Sequence, residues 1–124
     1  MLFRSEMYLI KAEALARKNN ITDAMAVLNT LLLQRWKKGT FVPLTATGAN
    51  DALNKILTER RKELIFRAVR WSDLRRLNKE TQWATTLVRM INNVQYSLAP
   101  NNNAYIFPIP VSVINNTGIE QNPR

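Results

Sequence analysis

The most strongly charged part of the sequence is residues 59–79, ERRKELIFRAVRWSDLRRLNK. Eight Lys or Arg stand there against three acids, Glu59, Glu63 and Asp73. Eight minus three gives +5, more than half of the chain's net charge of +9. Basic side chains at this density could contact the phosphates of a nucleic acid, and a pair of carboxylates could hydrolyse a glycosidic bond. A third interpretation is structural, with acids and bases paired along helix surfaces.

The positions of the acids favour the structural interpretation. Glu59 and Glu63 share a helix face but are surrounded by bases, so we expect ion pairs, Glu59 with Lys62 and Glu63 with Arg67, and no catalytic pair. Trp71 is in phase with Leu74 and is expected in the core. Nucleic acid is therefore disfavoured as a partner.

Catalysis has little to build on elsewhere in the chain. The 124 residues contain no Cys and no His, and the three Gly are scattered. Thiolate nucleophiles, His bases and Cys or His zinc sites are therefore excluded, and no Gly-rich phosphate loop or Ser-x-x-Lys motif is present. We predict no catalytic residue, no metal site and no cofactor, and we expect a protein that is not an enzyme.

Aromatic and amide side chains are the remaining candidates for binding. A Trp face suits the apolar side of a sugar ring. Trp83 lies in a polar stretch and is the better candidate for exposure. Tyr105 follows Asn101-Asn102-Asn103, where it could contact a ligand or anchor the tail. We take Trp83, Tyr105 and Asn102 as the candidate ligand-binding residues.

Helices are expected in the first two-thirds of the chain. Residues 4–18 carry an apolar stripe of Tyr8, Ala12, Leu15 and Ala16, with Glu13 among the residues on the opposite face. A second helix has Thr22 as its expected N-cap and a stripe of Ala24, Val27, Leu28, Leu31 and Leu32. A loop over residues 37–50 precedes a third helix, which Asn50 or Asp51 would cap and in which Leu53, Ile56, Leu57, Leu64 and Ile65 recur. Trp71, Leu74 and Leu77 mark a short fourth helix, with Asp73 near its first turn.

The fold class predicted is all-α, with tetratricopeptide-like helical hairpins. The small residues Ala12, Ala14, Ala16, Ala24 and Ala26 would allow close helix approach. An irregular Pro- and Asn-rich C-terminal tail follows. It could hold short strands, because Val94, Tyr96 and Leu98 alternate with polar residues, and one helical turn over residues 111–114. The longest apolar run is five residues, so no transmembrane segment is expected.

Several segments taken in order resemble the C-terminal part of the SusD/RagB family. They are YLIKAEALARKNN with DAMAVLN, then LTERRKELIFRAVRWSDLRR, then AYIFPIPVSVINN ending in QNPR. The resemblance covers nearly the whole chain. The family pattern has Glu-Gly after ER-x-x-EL, where this chain has Arg67 and Ala68.

The resemblance implies a function and a cellular setting. Members are nutrient-binding outer-membrane lipoproteins that capture oligosaccharides for a SusC-like TonB-dependent transporter. It also implies that residues 1–124 are a single C-terminal helical domain of a longer protein, whose N-terminal part, signal and lipidated Cys precede Met1. Such a fragment is expected to expose an apolar patch on the hairpin of residues 4–36 and to self-associate. The alternative is a free-standing helical-hairpin scaffold that binds a protein partner.

Overall fold

The computed structural model describes residues 3–123, of which about half are helical. The elements are α1 (Phe3–Arg17), α2 (Ile21–Leu33), α3 (Ala49–Glu63), α4 (Arg70–Leu77), β1 (Leu87–Ile91), β2 (Val94–Leu98), a 3₁₀ turn (Asn103–Tyr105) and α5 (Val111–Thr117). They form two compact units, Met1–Ala68 and Val69–Arg124. The expectation of a mainly helical chain is confirmed, with one antiparallel two-stranded sheet in addition.

In the first unit, α1 packs against both α2 and α3. Leu9, Leu28 and Ile56, one from each helix, are the largest fully buried side chains. Ala12, Ala16 and Ala24 have no exposed surface, so the predicted role of small residues in close helix packing is confirmed for these three. Ala14 and Ala26 are exposed, and for them the prediction is wrong.

The buried stripe of α1 is rotated from the predicted one. It consists of Ser5, Leu9, Ala12, Glu13 and Ala16. Tyr8 is 39% exposed, and Glu13, placed on the opposite face by the sequence, is buried and receives a hydrogen bond of 3.0 Å from Arg17 Nε. This rotation keeps the i, i+4 spacing while bringing a paired carboxylate inward.

The starts of α2 and α3 differ from the sequence expectation. Asn20, not Thr22, is the N-cap of α2, and its side chain accepts a hydrogen bond from the Asp23 N–H. Gly48 precedes α3 without a side-chain cap, so the assignment to Asn50 or Asp51 is wrong. Asp51 instead accepts from the Thr47 N–H at 3.0 Å and pairs with Lys55 at 2.7 Å. A carboxylate in the first turn thus still complements the helix dipole.

The predicted loop is present and is held to α2. Asn29 donates to the Leu44 carbonyl and accepts from the Leu44 N–H, both at 2.9 Å. The end of α3 at Glu63 leaves Leu64 and Ile65 outside the helix, with Leu64 buried and Ile65 64% exposed. Leu64 and Ile65 therefore do not continue the apolar stripe of α3, contrary to the prediction.

Part of the basic stretch is ion paired. Lys62 contacts Glu59 at 2.7 Å as predicted, the buried Arg60 lies 3.5 Å from Glu6, and Arg76 lies 2.9 Å from Asp73. Arg67 lies beyond the end of α3 at Glu63, so the two residues do not share a helix face as predicted, and the Glu63 carboxylate is bound by Arg35. These pairs support the structural interpretation of the stretch.

In the second unit, α4 buries Leu74 and Leu77 as predicted, together with Asp73 in its first turn. Trp71 is half-buried, and its Nε1–H donates to the Tyr105 carbonyl at 3.1 Å. Its ring is stacked on Phe107, with centroids 5.5 Å apart. An aromatic cluster thus joins α4 to the tail within this unit.

Short strands and a helical turn occur in the tail, as expected. Leu87 pairs with Leu98 and Ile91 with Val94, around a two-residue turn in which Asn92 and Asn93 have φ of 49° and 62°. Two consecutive positive φ angles are typical of the tight turns that match strand twist. The helical turn starting at Val111 extends to Thr117.

Candidate functional site

Two of the three predicted site residues line one concavity in the second unit. Asn102 and Tyr105 lie on its wall, at the 3₁₀ turn that follows β2. The volume is about 170 Å³, and the lining residues are Arg75, Asn78, Lys79, Asn101, Asn102, Asn103, Tyr105 and Ile106. Trp83 is not among them. The end of α4 and the turn at residues 101–106 therefore build the site.

Local hydrogen bonds fix the amide side chains around the concavity. Asn101 has φ of 61°, and its Nδ2 donates to the Asn78 carbonyl at 3.0 Å. Asn102 Oδ1 accepts from the Ala104 N–H at 2.8 Å, while Asn78 Oδ1 accepts from the Thr85 N–H at 3.1 Å. Asn tolerates the left-handed conformation and caps turns, so the Asn-rich sequence explains this geometry.

Two lining residues carry buried polar atoms that have no hydrogen-bond partner within the described part of the chain. They are Asn78 Nδ2 and Tyr105 Oη. Asn78 is 3% exposed and Tyr105 is 4% exposed. A buried polar group without a partner typically costs about 1–3 kcal/mol. Both atoms are themselves buried, so they add to the free-energy cost of this unit and are not surface groups of the concavity.

The burial of Tyr105 decides what its side chain could offer a ligand. Its ring centroid lies 4.9 Å from that of Trp71, so the aromatic face packs inside the unit. Phe107, in the same cluster, is 70% exposed. Sugar stacking is therefore better suited to Phe107 than to Tyr105.

Exposure of the tryptophans differs from the sequence expectation. Trp83 was expected to be exposed but is half-buried, and its Nε1 is buried without a partner among residues 3–123. Trp36 is 53% exposed and packs edge-on against Phe41 at 6.1 Å. The sequence named Trp36 as able to stack on a sugar but singled out Trp83 for exposure, because the loop after α2 has no periodicity from which the exposure of Trp36 could be inferred.

A larger concavity of about 400 Å³ lies in the first unit. It is lined by Arg4, Ser5, Tyr8, Thr30, Leu31, Gln34 and Arg35. Its Arg35 is already bound to Glu63 through three hydrogen bonds, the shortest 2.6 Å. This pair lowers the pKa of Glu63 and raises the pKa of Arg35, chiefly through hydrogen bonding. The Arg35 guanidinium in this concavity is therefore already engaged by a carboxylate.

The exposed residues of α1 and α2 include several large apolar side chains. Met7 is 63%, Ile10 47% and Leu33 54% exposed. This agrees with the expected apolar surface on residues 4–36. Self-association through it stays a prediction.

The Asn-rich concavity has no Asp or Glu among its lining residues. Within residues 3–123, no group of three Asp or Glu side chains is placed to hold a metal ion. Across the same residues, every helix is too short or too polar to cross a membrane. The exposed amides and the two cations that line this concavity can hold a ligand by hydrogen bonds.

The fold and site define a mainly helical protein with a polar concavity. The chain belongs to the SusD family, whose family model matches residues 1–124. A relative, "SusD-like protein P38" of Formosa agariphila, is 36% identical over 88 residues. The match covers 66% of this chain but only 18% of the relative. The resemblance predicted from the sequence is therefore confirmed at the level of the family.

Proposed function

We propose that this chain is part of a glycan-binding protein for nutrient uptake. It would capture oligosaccharides at the outer membrane and pass them to a SusC-like TonB-dependent transporter, without catalysing a reaction. Membership of the SusD family carries this proposal. The Asn-rich concavity supports it, since amide groups both donate to and accept from sugar hydroxyls.

The proposal includes the setting of the whole protein. Residues 1–124 form one C-terminal helical domain with tetratricopeptide-like hairpins, and the full-length protein is a surface lipoprotein. The packing of α1 against α2 and α3 supports helical hairpins in residues 3–63. The match to 18% of the relative's length agrees with a chain that represents part of a longer protein.

Asn102 and Tyr105 are the proposed ligand-binding residues of the concavity, and Trp83 a further one outside it. Asn102 uses Oδ1 to cap the 3₁₀ turn, which leaves its Nδ2 amino group as the donor for a sugar oxygen. The conservative test is Asn102→Ser, because a Ser hydroxyl can also cap this turn but offers no amino group.

Isothermal titration calorimetry with a panel of neutral and acidic oligosaccharides tests the proposal. We expect at least one to bind and Asn102→Ser to weaken that binding roughly fivefold, the effect of about one lost hydrogen bond. Asn54→Ser, on the exposed face of α3, is the matched control and should leave affinity unchanged. Absence of binding to every oligosaccharide in the panel would contradict the proposal.

A further inference from the structure

The charge of the Asn-rich concavity points to a particular class of sugar. Two of its eight lining residues, Arg75 and Lys79, are cationic, and none is acidic. The only apolar side chain besides the Tyr105 ring is that of Ile106. A ligand held here meets amides and positive charge.

Both cations are available to a ligand. Neither Arg75 nor Lys79 has an ion-pair partner within residues 3–123, and both are exposed. The neighbouring Arg76 is different, because its guanidinium binds Asp73 at 2.9 Å. Arg76 is thus ion paired, whereas the adjacent Arg75, which lines the concavity, is not.

Hydrogen bonding to the last carbonyls of α4 does not account for these cations. Basic side chains near a helix C-terminus can bind its last carbonyl groups. Here backbone N–H groups already fill that role. Leu74, Arg76 and Leu77 carbonyls accept from Asn78, Lys79 and Glu80, at 2.9, 3.4 and 2.9 Å.

We infer that the concavity binds an acidic sugar, with Arg75 and Lys79 holding its carboxylate or sulfate group and the asparagine amides holding its hydroxyls. This inference rests on the proposed function and names the substrate class of the same site. A guanidinium can bind either anion through two parallel hydrogen bonds. The volume of about 170 Å³ is well below the roughly 300–1,000 Å³ of sites for drug-sized ligands, so it suits a single sugar unit of a chain.

The experiment compares matched acidic and neutral sugars in calorimetric titrations of the chain. Oligogalacturonate is paired with its methyl ester for the carboxylate, and sulfated dextran oligosaccharide with plain dextran oligosaccharide for the sulfate. At low salt we expect roughly tenfold tighter binding of the acidic member in at least one pair, and a loss of this preference at high salt. The pair with the larger preference identifies the anion.

Charge-removing variants then locate the binding. Arg75→Gln and Lys79→Gln should each reduce the acidic preference roughly threefold to tenfold, because each removes one charge-assisted contact. Arg89→Gln is the matched control, since Arg89 is an exposed arginine on β1 outside the concavity. It should leave the preference unchanged.

Four results would overturn the inference. Equal affinity for both members of each pair, with no effect of Arg75→Gln, would remove the acidic sugar but leave glycan binding intact. No binding of any sugar would overturn the proposed function as well. An equal loss in Arg89→Gln, or equal binding of a single-stranded DNA oligonucleotide, would show general attraction of polyanions to a basic chain.

Discussion

Arg35 and Glu63 form a bidentate ion pair that connects the residue beyond the α2 C-cap to the last residue of α3. Arg35 Nη2 lies 2.6 Å from Glu63 Oε1, and Arg35 Nε lies 3.0 Å from Oε2. The residues are 28 positions apart in sequence. The pair therefore ties the start of the loop after α2 to the C-terminal end of α3.

Replacing Glu63 should weaken the first unit more than replacing its neighbour Glu59. Glu63→Gln keeps the shape but removes the charge, and we expect a loss of about 0.5–1 kcal/mol in the free energy of unfolding, the upper range for a partly exposed pair. Glu59→Gln is the matched control on the same helix. Its partner Lys62 is 65% exposed and lies only three residues away. We expect at most about 0.5 kcal/mol for it. Equal losses in urea denaturation would show that the bidentate pair has no special role.

The same pair predicts how stability depends on pH. Hydrogen bonds from Arg35, then the charge of Arg35, lower the pKa of Glu63 from its ordinary 4.5, although burial opposes this. A carboxyl whose pKa is lowered in the folded state stabilises the fold above its ordinary pKa. That contribution is lost as pH falls from about 5 through the folded-state value.

Denaturation curves between about pH 6 and pH 3 test the sign. The unfolding free energy should fall less steeply in Glu63→Gln than in the unchanged chain, by less than about 1.4 kcal/mol per pH unit for the one proton involved. Asp51, whose pKa is lowered chiefly by its hydrogen bond with Lys55, should leave a residual fall in both proteins. A steeper fall in the variant would contradict this assignment.

How far the sequence predicted the fold can be judged from these helices. Apolar periodicity placed α1 to α4 within a few residues, because burying one helix face dominates local structure. Apolar periodicity could not predict that Glu13 is buried, because burial of this carboxylate depends on its ion pair with Arg17. Helical spacing predicted a pair of Glu63 with the nearby Arg67. The pair of Glu63 with Arg35 could not be predicted, because these residues are 28 positions apart and come close only in the tertiary fold.

The candidate site shows the same limit. The Asn-rich composition identified Asn102 and Tyr105, which share a concavity, because asparagines mark turns and exposed polar groups. Arg75 and Lys79 appeared only as part of a charged helical stretch. Their place beside residues 101–106 depends on a contact between segments more than 20 residues apart, which local periodicity cannot encode.

Asn29 should anchor the loop between α2 and α3. Asn29→Ala removes both hydrogen bonds to Leu44 and leaves the Leu44 N–H and carbonyl without their side-chain partner. We expect a loss of about 1–3 kcal/mol in unfolding free energy and faster hydrogen exchange at the Leu44 amide. Thr30→Ala, at the next and exposed position, removes only a bond to the Ala26 carbonyl within the helix. It should be neutral or slightly stabilising. Similar losses in the two variants would contradict an anchoring role.

Ala68 is expected to carry backbone strain that glycine would relieve. Its φ is 58°, in the left-handed region that disfavours residues with a Cβ. Ala68→Gly should therefore raise the unfolding free energy by up to about 1 kcal/mol. Ala14→Gly is the control, because Ala14 lies exposed within α1. There the same substitution should cost about 1 kcal/mol. Thermal melts in which both variants lose stability would show that Ala68 is not strained.

Tyr105→Phe separates the cost of an unpaired hydroxyl from its use in binding. The Oη atom is buried and has no partner among residues 3–123, whereas the ring packs on Trp71. Removing only the hydroxyl should leave the free chain equally stable or stabilise it by up to about 1–2 kcal/mol, because an unsatisfied polar group disappears. If the hydroxyl serves the ligand, affinity for the bound oligosaccharide should fall roughly fivefold in calorimetry. Higher stability with unchanged affinity would assign Tyr105 to the aromatic cluster alone, and lower stability would reveal a hidden partner for Oη.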